Sequence, residues 1–349
     1  MATKKQTTTQ KRKVTKAKKR GKRLLLLLAL VVVLWLLSLV FAPSEDAYLQ
    51  SGATYIVDLE LPAYDEDEIV VRHPGFTLLY DEEHEQARWV AYHLTRDELY
   101  GTAKRKDNFR ADPSIPTGSA ELADYRGSGY DRGHLIPAGD LTWSDEAMSA
   151  SFFLSNMSPQ DGSFNRGIWS QLEAVVRNFA DTEGAVYVVT GPVLTDGPYQ
   201  TIGANEVSVP NFYYKVILDY EEPELKAIGF VLPNEGSKSD LKSFATTVRE
   251  VEELTGLDFF HRLPDMQEEL LETRYDTEAW DFSPFTASEQ ARQAYESGTV
   301  QPAQTESGTY RLIKGTLDTV LLTIKRESRS LIELFIPRAQ LKSAVPFLY

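Results

Sequence analysis

The chain has 349 residues, 42% of them apolar, enough to bury the core of one large domain or two smaller ones. It has no cysteine, which excludes disulfides, thiolate nucleophiles and zinc–sulfur sites and leaves oxygen or imidazole to hold any metal, the donor set of magnesium, calcium or manganese. The net charge of −14 is uneven: residues 1–23 carry 11 Lys/Arg and no acid, leaving 26 basic against 51 acidic residues in the remainder, which argues against coating nucleic acid by bulk attraction but not against a locally basic cleft.

After the basic segment, residues 24–42 form a run of 19 residues that is apolar except for Ser38. At about 1.5 Å per residue such a helix is roughly 28 Å long, close to the hydrocarbon thickness of a bilayer. The run exceeds the usual apolar stretch of a cleaved signal peptide and is followed by no clear cleavage site. It therefore predicts one uncleaved transmembrane helix, a signal-anchor with the basic flank in the cytosol and the acidic body extracytoplasmic. Residues 43–52 read as a linker.

Residues 53–272 read as one α+β domain. Strand-like composition occurs at Phe76–Tyr80 and Trp89–Leu94, separated by the charged turn Asp81–Glu83, and at Val186–Thr190 ahead of Gly191 and Pro192. Phe212–Leu218 and Lys226–Leu232 form a further pair around a short polar turn. Strands following one another so closely predict a mostly antiparallel sheet flanked by helices, not βαβ crossovers. Ile168, Leu172, Val175, Val176 and Phe179 predict a helix over 166–180, and Leu241, Phe244, Val248, Val251 and Leu254 predict another over 239–254, stopped by Gly256. Trp169 and Phe179 read as core. Residues 273–349 form a C-terminal extension, linker-like over 284–308, with apolar segments at Val320–Ile324 and Leu331–Ile336.

Two stretches carry chemistry. The first, residues 124–135, is Asp-Tyr-Arg-Gly-Ser-Gly-Tyr-Asp-Arg-Gly-His-Leu. Its glycines permit sharp turns and close approach of backbone to a ligand. His134 can take a proton from water near neutral pH, and the guanidinium of Arg132 matches phosphate geometry. The bland alternative is a solvated turn with a structural histidine. The second stretch holds Ser155, Asn156, Pro159 and Gln160, then Asn165, Gly167, Trp169, Leu172 and Glu173. Asn165, at the start of the expected helix, is either an N-cap or an oxygen ligand for a hard cation. Glu173, eight residues on, lies about 80° round and about 12 Å along a regular helix, within reach of water on a metal but not of direct ligation beside Asn165; otherwise it is a solvated helix residue. His73, His84, His93 and His261 lie outside both stretches, unpaired in spacing, and read as structural.

Together the two stretches resemble the DNA/RNA non-specific endonuclease family with its ββα-metal fold. The Asp-Arg-Gly-His signature is intact at Asp131–His134. So is its partner, Ser-Asn-x-x-Pro-Gln followed by Asn-x-Gly-x-Trp-x-x-Leu-Glu, at 155–173. The residues ahead of the signature, and Leu254–Phe260, look like the endonuclease G branch. The resemblance spans about 53–272.

It implies that His134 is the general base activating water, Asn165 the only direct protein ligand of magnesium (manganese being the alternative), and Glu173 the holder of water bound to that ion. Asn156 orients the site around the histidine, Arg132 contacts phosphate, and Arg105 stabilises charge on the transition state, with Arg110 as the alternative. Asp131 belongs to the signature, with a role either in the chemistry or only in setting the loop.

The expected function is thus a membrane-anchored, magnesium-dependent, sequence-non-specific endonuclease of DNA or RNA. The competing readings are a catalytically silent nucleic-acid-binding or scaffold protein on the same fold and a phosphodiesterase for a smaller substrate. A homodimer is left open.

Overall fold

Continuously apolar segments build the middle of a seven-stranded sheet. The computed structural model describes residues 56–287 except 222, together with residues 49 and 293, all within the unit Glu45–Glu306. The strands are β1 (Ile69–His73), β2 (Phe76–Asp81), β3 (Gln86–Thr95), β4 (Asp131–His134), β5 (Met157–Gln160), β6 (Ala185–Pro192), β7 (Gln200–Ile202), β8 (Val207–Val209), β9 (Phe212–Asp219), β10 (Lys226–Pro233) and β11 (Ala245–Thr246). The main sheet runs β1-β2-β3-β6-β9-β10-β11, and every pairing in it is antiparallel. The five strands read from the sequence are all present, and the ββα-nuclease expectation of a central antiparallel sheet holds.

Antiparallel strands usually alternate apolar and polar residues because one face meets water. Here β6 is buried at all eight positions. The reason is that both faces are covered. Val188, Ile217 and Phe230 face one core with helix α1 (Ser170–Glu183); Val189, Val216 and Ala227 face a second with helices α2 (Val248–Thr255) and α3 (Asp265–Glu272). Trp169 and Phe179 are fully buried in the first core, as their spacing predicts.

Two expectations about helices need correction. The segment 239–254 is not one helix: it is a 3-10 turn (Leu241–Phe244), then β11, then α2. Thr247 starts α2 with a capping box, its side chain accepting from Glu250 N, so the chain before it is released to pair with Gly229 and Phe230. The helix expected over 166–180 starts earlier, in a five-residue π-turn (Asn165–Trp169) preceded by the short turn Gly162–Phe164.

Packing also continues past residue 272. Trp280 is buried in the first core, Phe282 and Phe285 lie against it, and Phe285 N donates to Ala174 O at 2.9 Å. The basic tail, the expected membrane helix 24–42, nearly all of 43–52 and the segments beyond 287 lie outside the described residues. Among the described residues no helix is long and apolar enough to cross a membrane.

Candidate active site

The signature Asp131–His134 forms a two-stranded antiparallel ribbon with Met157–Gln160, so the two sequence stretches face each other: Asp131 opposite Gln160, His134 opposite Met157. Gly133 is required by close approach, since a Cβ there would lie 2.1 Å from the Gln160 side chain. The ribbon is tied to the main sheet from below. Ser158 Oγ meets Tyr213 OH at 2.6 Å, and the carbonyl of Pro159 accepts from Tyr213 OH at 2.9 Å and from Asn234 Nδ2 at 3.0 Å.

Asn156 is fully buried and bonds to backbone only: Oδ1 accepts from Ile136 N, and Nδ2 donates to the carbonyls of Ile136 and Ser151. Its own carbonyl accepts from Leu135 N. It thereby fixes the two residues that follow His134 through hydrogen bonds to their backbone.

His134 is 8% exposed, and its Nε2 has no hydrogen-bond partner. Burial first, then the guanidiniums of Arg105 and Arg132, push the imidazole down to about 3, so it is neutral at physiological pH. The ring stands edge-to-face to Phe152 at 5.0 Å and to Phe109 at 5.8 Å.

Arg105 and Arg110 differ in their partners. Arg110 donates to the carbonyls of Asn108 and Ser149 and lies 3.9 Å over the ring of Phe153, so its fork is spent on structure. Arg105 keeps 54% of its side chain exposed, pairs with Asp107, and acts on both His134 and Glu173. It is thus common to both motif stretches.

Asn165 is not the N-cap. Asp161 caps the turn, accepting from Ser163 N and Phe164 N, and Asn165 sits inside the helical run with φ −57° and ψ −49°. Its Nδ2 donates to Asp131 Oδ2 at 3.0 Å, which leaves the amide oxygen as the group available to a cation. Asp131 also meets Arg166 at 3.2 Å, so the signature aspartate links the first stretch to the second. A lone neutral oxygen donor suits a hydrated magnesium ion, most of whose places go to water and phosphate.

The π-turn and a break at Gly167 (φ −107°, ψ −112°) alter the regular-helix phase between Asn165 and Glu173. Glu173 keeps some solvent access but is closely surrounded. Burial raises its pKa above the ordinary carboxylate range, while Arg177 and Lys215 oppose that and Asp140 adds to it. Asp140 is held by Arg177 at 2.8 Å and by Tyr92 OH at 3.0 Å.

A model of the DNA/RNA non-specific endonuclease family matches residues 54–266. The chain belongs to that family. Within this endonuclease family, it is 38% identical over 244 residues to the zebrafish (Danio rerio) mitochondrial nuclease EXOG, covering 65% of this chain and 71% of that protein. It is 36% identical over 199 residues to human mitochondrial endonuclease G, covering 53% and 67%. It spans only 57% of the mouse (Mus musculus) EXOG protein. The crystal structure of an EndoG/EndoGI complex matches with a TM-score of 0.56 and 34% identity, over 65% of this chain and 95% of that one.

The four other histidines have structural surroundings. His73 lies 2.8 Å from Asp112, His84 meets Ser208 at 3.0 Å, and His93 stacks on Tyr187; His261 is part-buried near Asp258. Sequence reasoning missed Phe109, Phe152 and Lys215. Lys215 is wholly buried on β9, with Nζ 4.9 Å over the Trp169 ring, and burial lowers its pKa. An isolated lysine in a strand or a phenylalanine in an apolar run carries no motif signal, so these neighbours emerge only in three dimensions.

Proposed function

We propose that the chain hydrolyses phosphodiester bonds in DNA or RNA with little sequence preference, using a histidine base and one hydrated divalent ion. The observation that carries this reading is the buried, uncharged His134, its Nε2 unpartnered, between the charges of Arg105 and Arg132. Nε2 is buried and unpartnered, so it would accept a proton from a water admitted against it together with the substrate. The guanidinium of Arg105 opposes the negative charge that builds on the non-bridging oxygens during attack, and that of Arg132 holds the phosphate in place. Binding of a phosphate beside them offsets their charge and raises the imidazole pKa toward the range of an effective base.

Asn165 would hold the ion by its amide oxygen, and Glu173 would accept hydrogen bonds from the ion's hydration shell. When bound, magnesium supplies Lewis acidity toward the phosphate and the leaving 3′-oxygen; manganese would serve in its place. Contacts to phosphate carry no base information, hence the weak sequence preference.

The test is nicking of supercoiled plasmid and digestion of RNA, each with magnesium and with EDTA, by the wild-type chain and by His134→Ala and Asn165→Ala. Cleavage with magnesium that both substitutions abolish is expected. Near-normal cleavage by His134→Ala, or cleavage indifferent to EDTA, would overturn the reading. The proposal extends to a single-pass anchor at 24–42 with the enzyme outside the cytosol, supported by the 19-residue apolar run and its 11 basic flanking residues. Extraction of membranes at alkaline pH, with protease protection, tests it; release as a soluble chain would refute it.

A further inference from the structure

The rings of His134, Phe109 and Phe152 form a triangle of edge-to-face contacts. Phe152 lies 5.0 Å from His134 at 90°, Phe109 lies 5.8 Å from it at 63°, and the two phenylalanines lie 5.0 Å apart at 90°. Each phenylalanine also carries an arginine on its face: Arg105 Cζ is 4.9 Å from the Phe152 centroid and Arg132 Cζ is 4.2 Å from that of Phe109. The two arginines that flank His134 are therefore seated on the same two rings that hold the imidazole.

We propose that Phe109 and Phe152 are positioning residues for phosphodiester cleavage, whose π-faces seat Arg132 and Arg105 beside His134, leaving the charge of Arg132 wholly to the scissile phosphate while Arg105 shares its charge with the exposed Asp107. The inference rests on the nuclease reading of the site.

The physical case concerns how an arginine can be fixed without being neutralised. A carboxylate would hold the fork but cancel its charge. An aromatic face attracts the cation through its quadrupole and cancels nothing. Among the described residues, Arg132 has a ring as its close contact, not a carboxylate. Arg105 has an exposed carboxylate, Asp107, but its guanidinium is also over Phe152. Arg110 is the internal contrast. It too lies over a ring, Phe153, yet its N–H groups are taken by backbone carbonyls, so it is held and has little left to give.

Phe152 is fully buried, whereas Phe109 is half-buried. The seating separates two effects. Loosening Arg105, placed where it acts on both His134 and Glu173, costs the rate of the bond-breaking step. Loosening Arg132, a phosphate contact, costs substrate affinity.

The experiment is incorporation of mono-, di- and trifluorophenylalanine at position 109 or 152 of the full chain, which weakens the π-face while keeping shape and packing. Steady-state cleavage of a defined DNA duplex is then measured in magnesium. Stepwise fluorination at 152 is expected to lower kcat progressively, by about three- to fivefold at trifluoro, with KM nearly unchanged; at 109 it is expected to raise KM by a similar factor. Phe109→Leu, which removes the face outright, should raise KM further, and Phe109→Trp should restore it.

If the wild-type chain cleaves but the fluorinated chains match it in both constants, the aromatic seating is wrong and the nuclease reading stands. If the wild-type chain does not cleave any nucleic acid, the reading beneath it fails first.

Discussion

Replacing His134 by Gln separates the charge state of the ring from its bulk. In the folded chain the imidazole sits at about 3, against an ordinary 6.5, because of burial and then Arg105 and Arg132. The folded value lies below the unfolded one. The contribution to stability is therefore complete above about pH 6.5 and is lost as the pH falls through the window from 6.5 toward 3. Across that window the loss is on the order of 5 kcal/mol at about 1.36 kcal/mol per pH unit, and by pH 5 it is about 2 kcal/mol. At about 2–4 °C per kcal/mol for a domain of this size, the wild-type melting temperature should fall about 4–8 °C further than that of His134→Gln between pH 7.5 and pH 5. Every carboxylate that titrates in both chains cancels in this difference. Thermal unfolding of the two proteins at a series of pH values is the assay, with cleavage measured alongside; His134→Gln should lose about 10²–10⁴ in rate at pH 7.5. In the wild type, the acid limb of kcat should lie at higher pH than that of kcat/KM, since bound phosphate offsets the two guanidiniums. Parallel melting curves for the two proteins would refute the buried, neutral imidazole on which the reasoning stands.

Arg105→Ala should lower kcat by about 10²-fold, the usual cost of one transition-state donor. Arg110→Ala should leave kcat within a small factor and lower the melting temperature, because its bonds go to the carbonyls of Asn108 and Ser149; the reverse pattern would exchange their roles. Gly133→Ala should be strongly destabilised and inactive, since its Cβ would meet Gln160 at 2.1 Å and that side chain is fully buried; a soluble, active variant would show that the ribbon can part. Glu272 provides the opposite pH signature to His134. Burial first, then Glu252, raise its carboxyl from 4.5 to about 9, so its stability contribution is complete below 4.5 and fades as pH rises through 9. Glu272→Gln should therefore flatten the loss of melting temperature between pH 5 and pH 9, and an unchanged slope would mean that Arg249, 2.7 Å away, already keeps the carboxylate charged.

What could be read from the sequence was what repeats at short range. Strands β2, β3, β6, β9 and β10 announced themselves as β-branched and aromatic runs, and α1 as apolar residues at helical spacing. The two motif stretches were legible because, taken together, they resemble the paired signatures of a known nuclease family. Boundaries set by competing local bonds were not. The capping box at Thr247 splits a stretch whose apolar spacing runs continuously from Leu241 to Leu254. Asp161, four residues ahead of Asn165, takes the capping role that was one of the two readings of the asparagine. The site itself was half legible. Arg105 is the better match along the chain and Arg110 its alternative, and the carbonyls that take up the N–H groups of Arg110 become visible only in three dimensions. Phe152 and Phe153 are neighbours of identical chemistry, but alternate direction sends one to His134 and Arg105 and the other to Arg110 and His73.

The acidity of the chain and the proposed polyanionic substrate are reconciled by distance. Beyond residue 23 the charge is −25, yet at physiological ionic strength a charge is felt in solvent over only about 8 Å. A phosphate at His134 therefore responds to its immediate surroundings, where Arg105 and Arg132 are the charged groups acting on the ring, more than to carboxylates such as Glu252, Asp258 and Glu272, which cluster with α2 and α3 under the opposite face of the sheet. Bulk repulsion then limits how long the chain lingers on nucleic acid without limiting the field at the scissile bond. The aromatic seats matter in such a protein because few cations are available, so each guanidinium near the base must keep its charge. A site built from ring-held arginines is, on this argument, the form that an acidic nuclease requires.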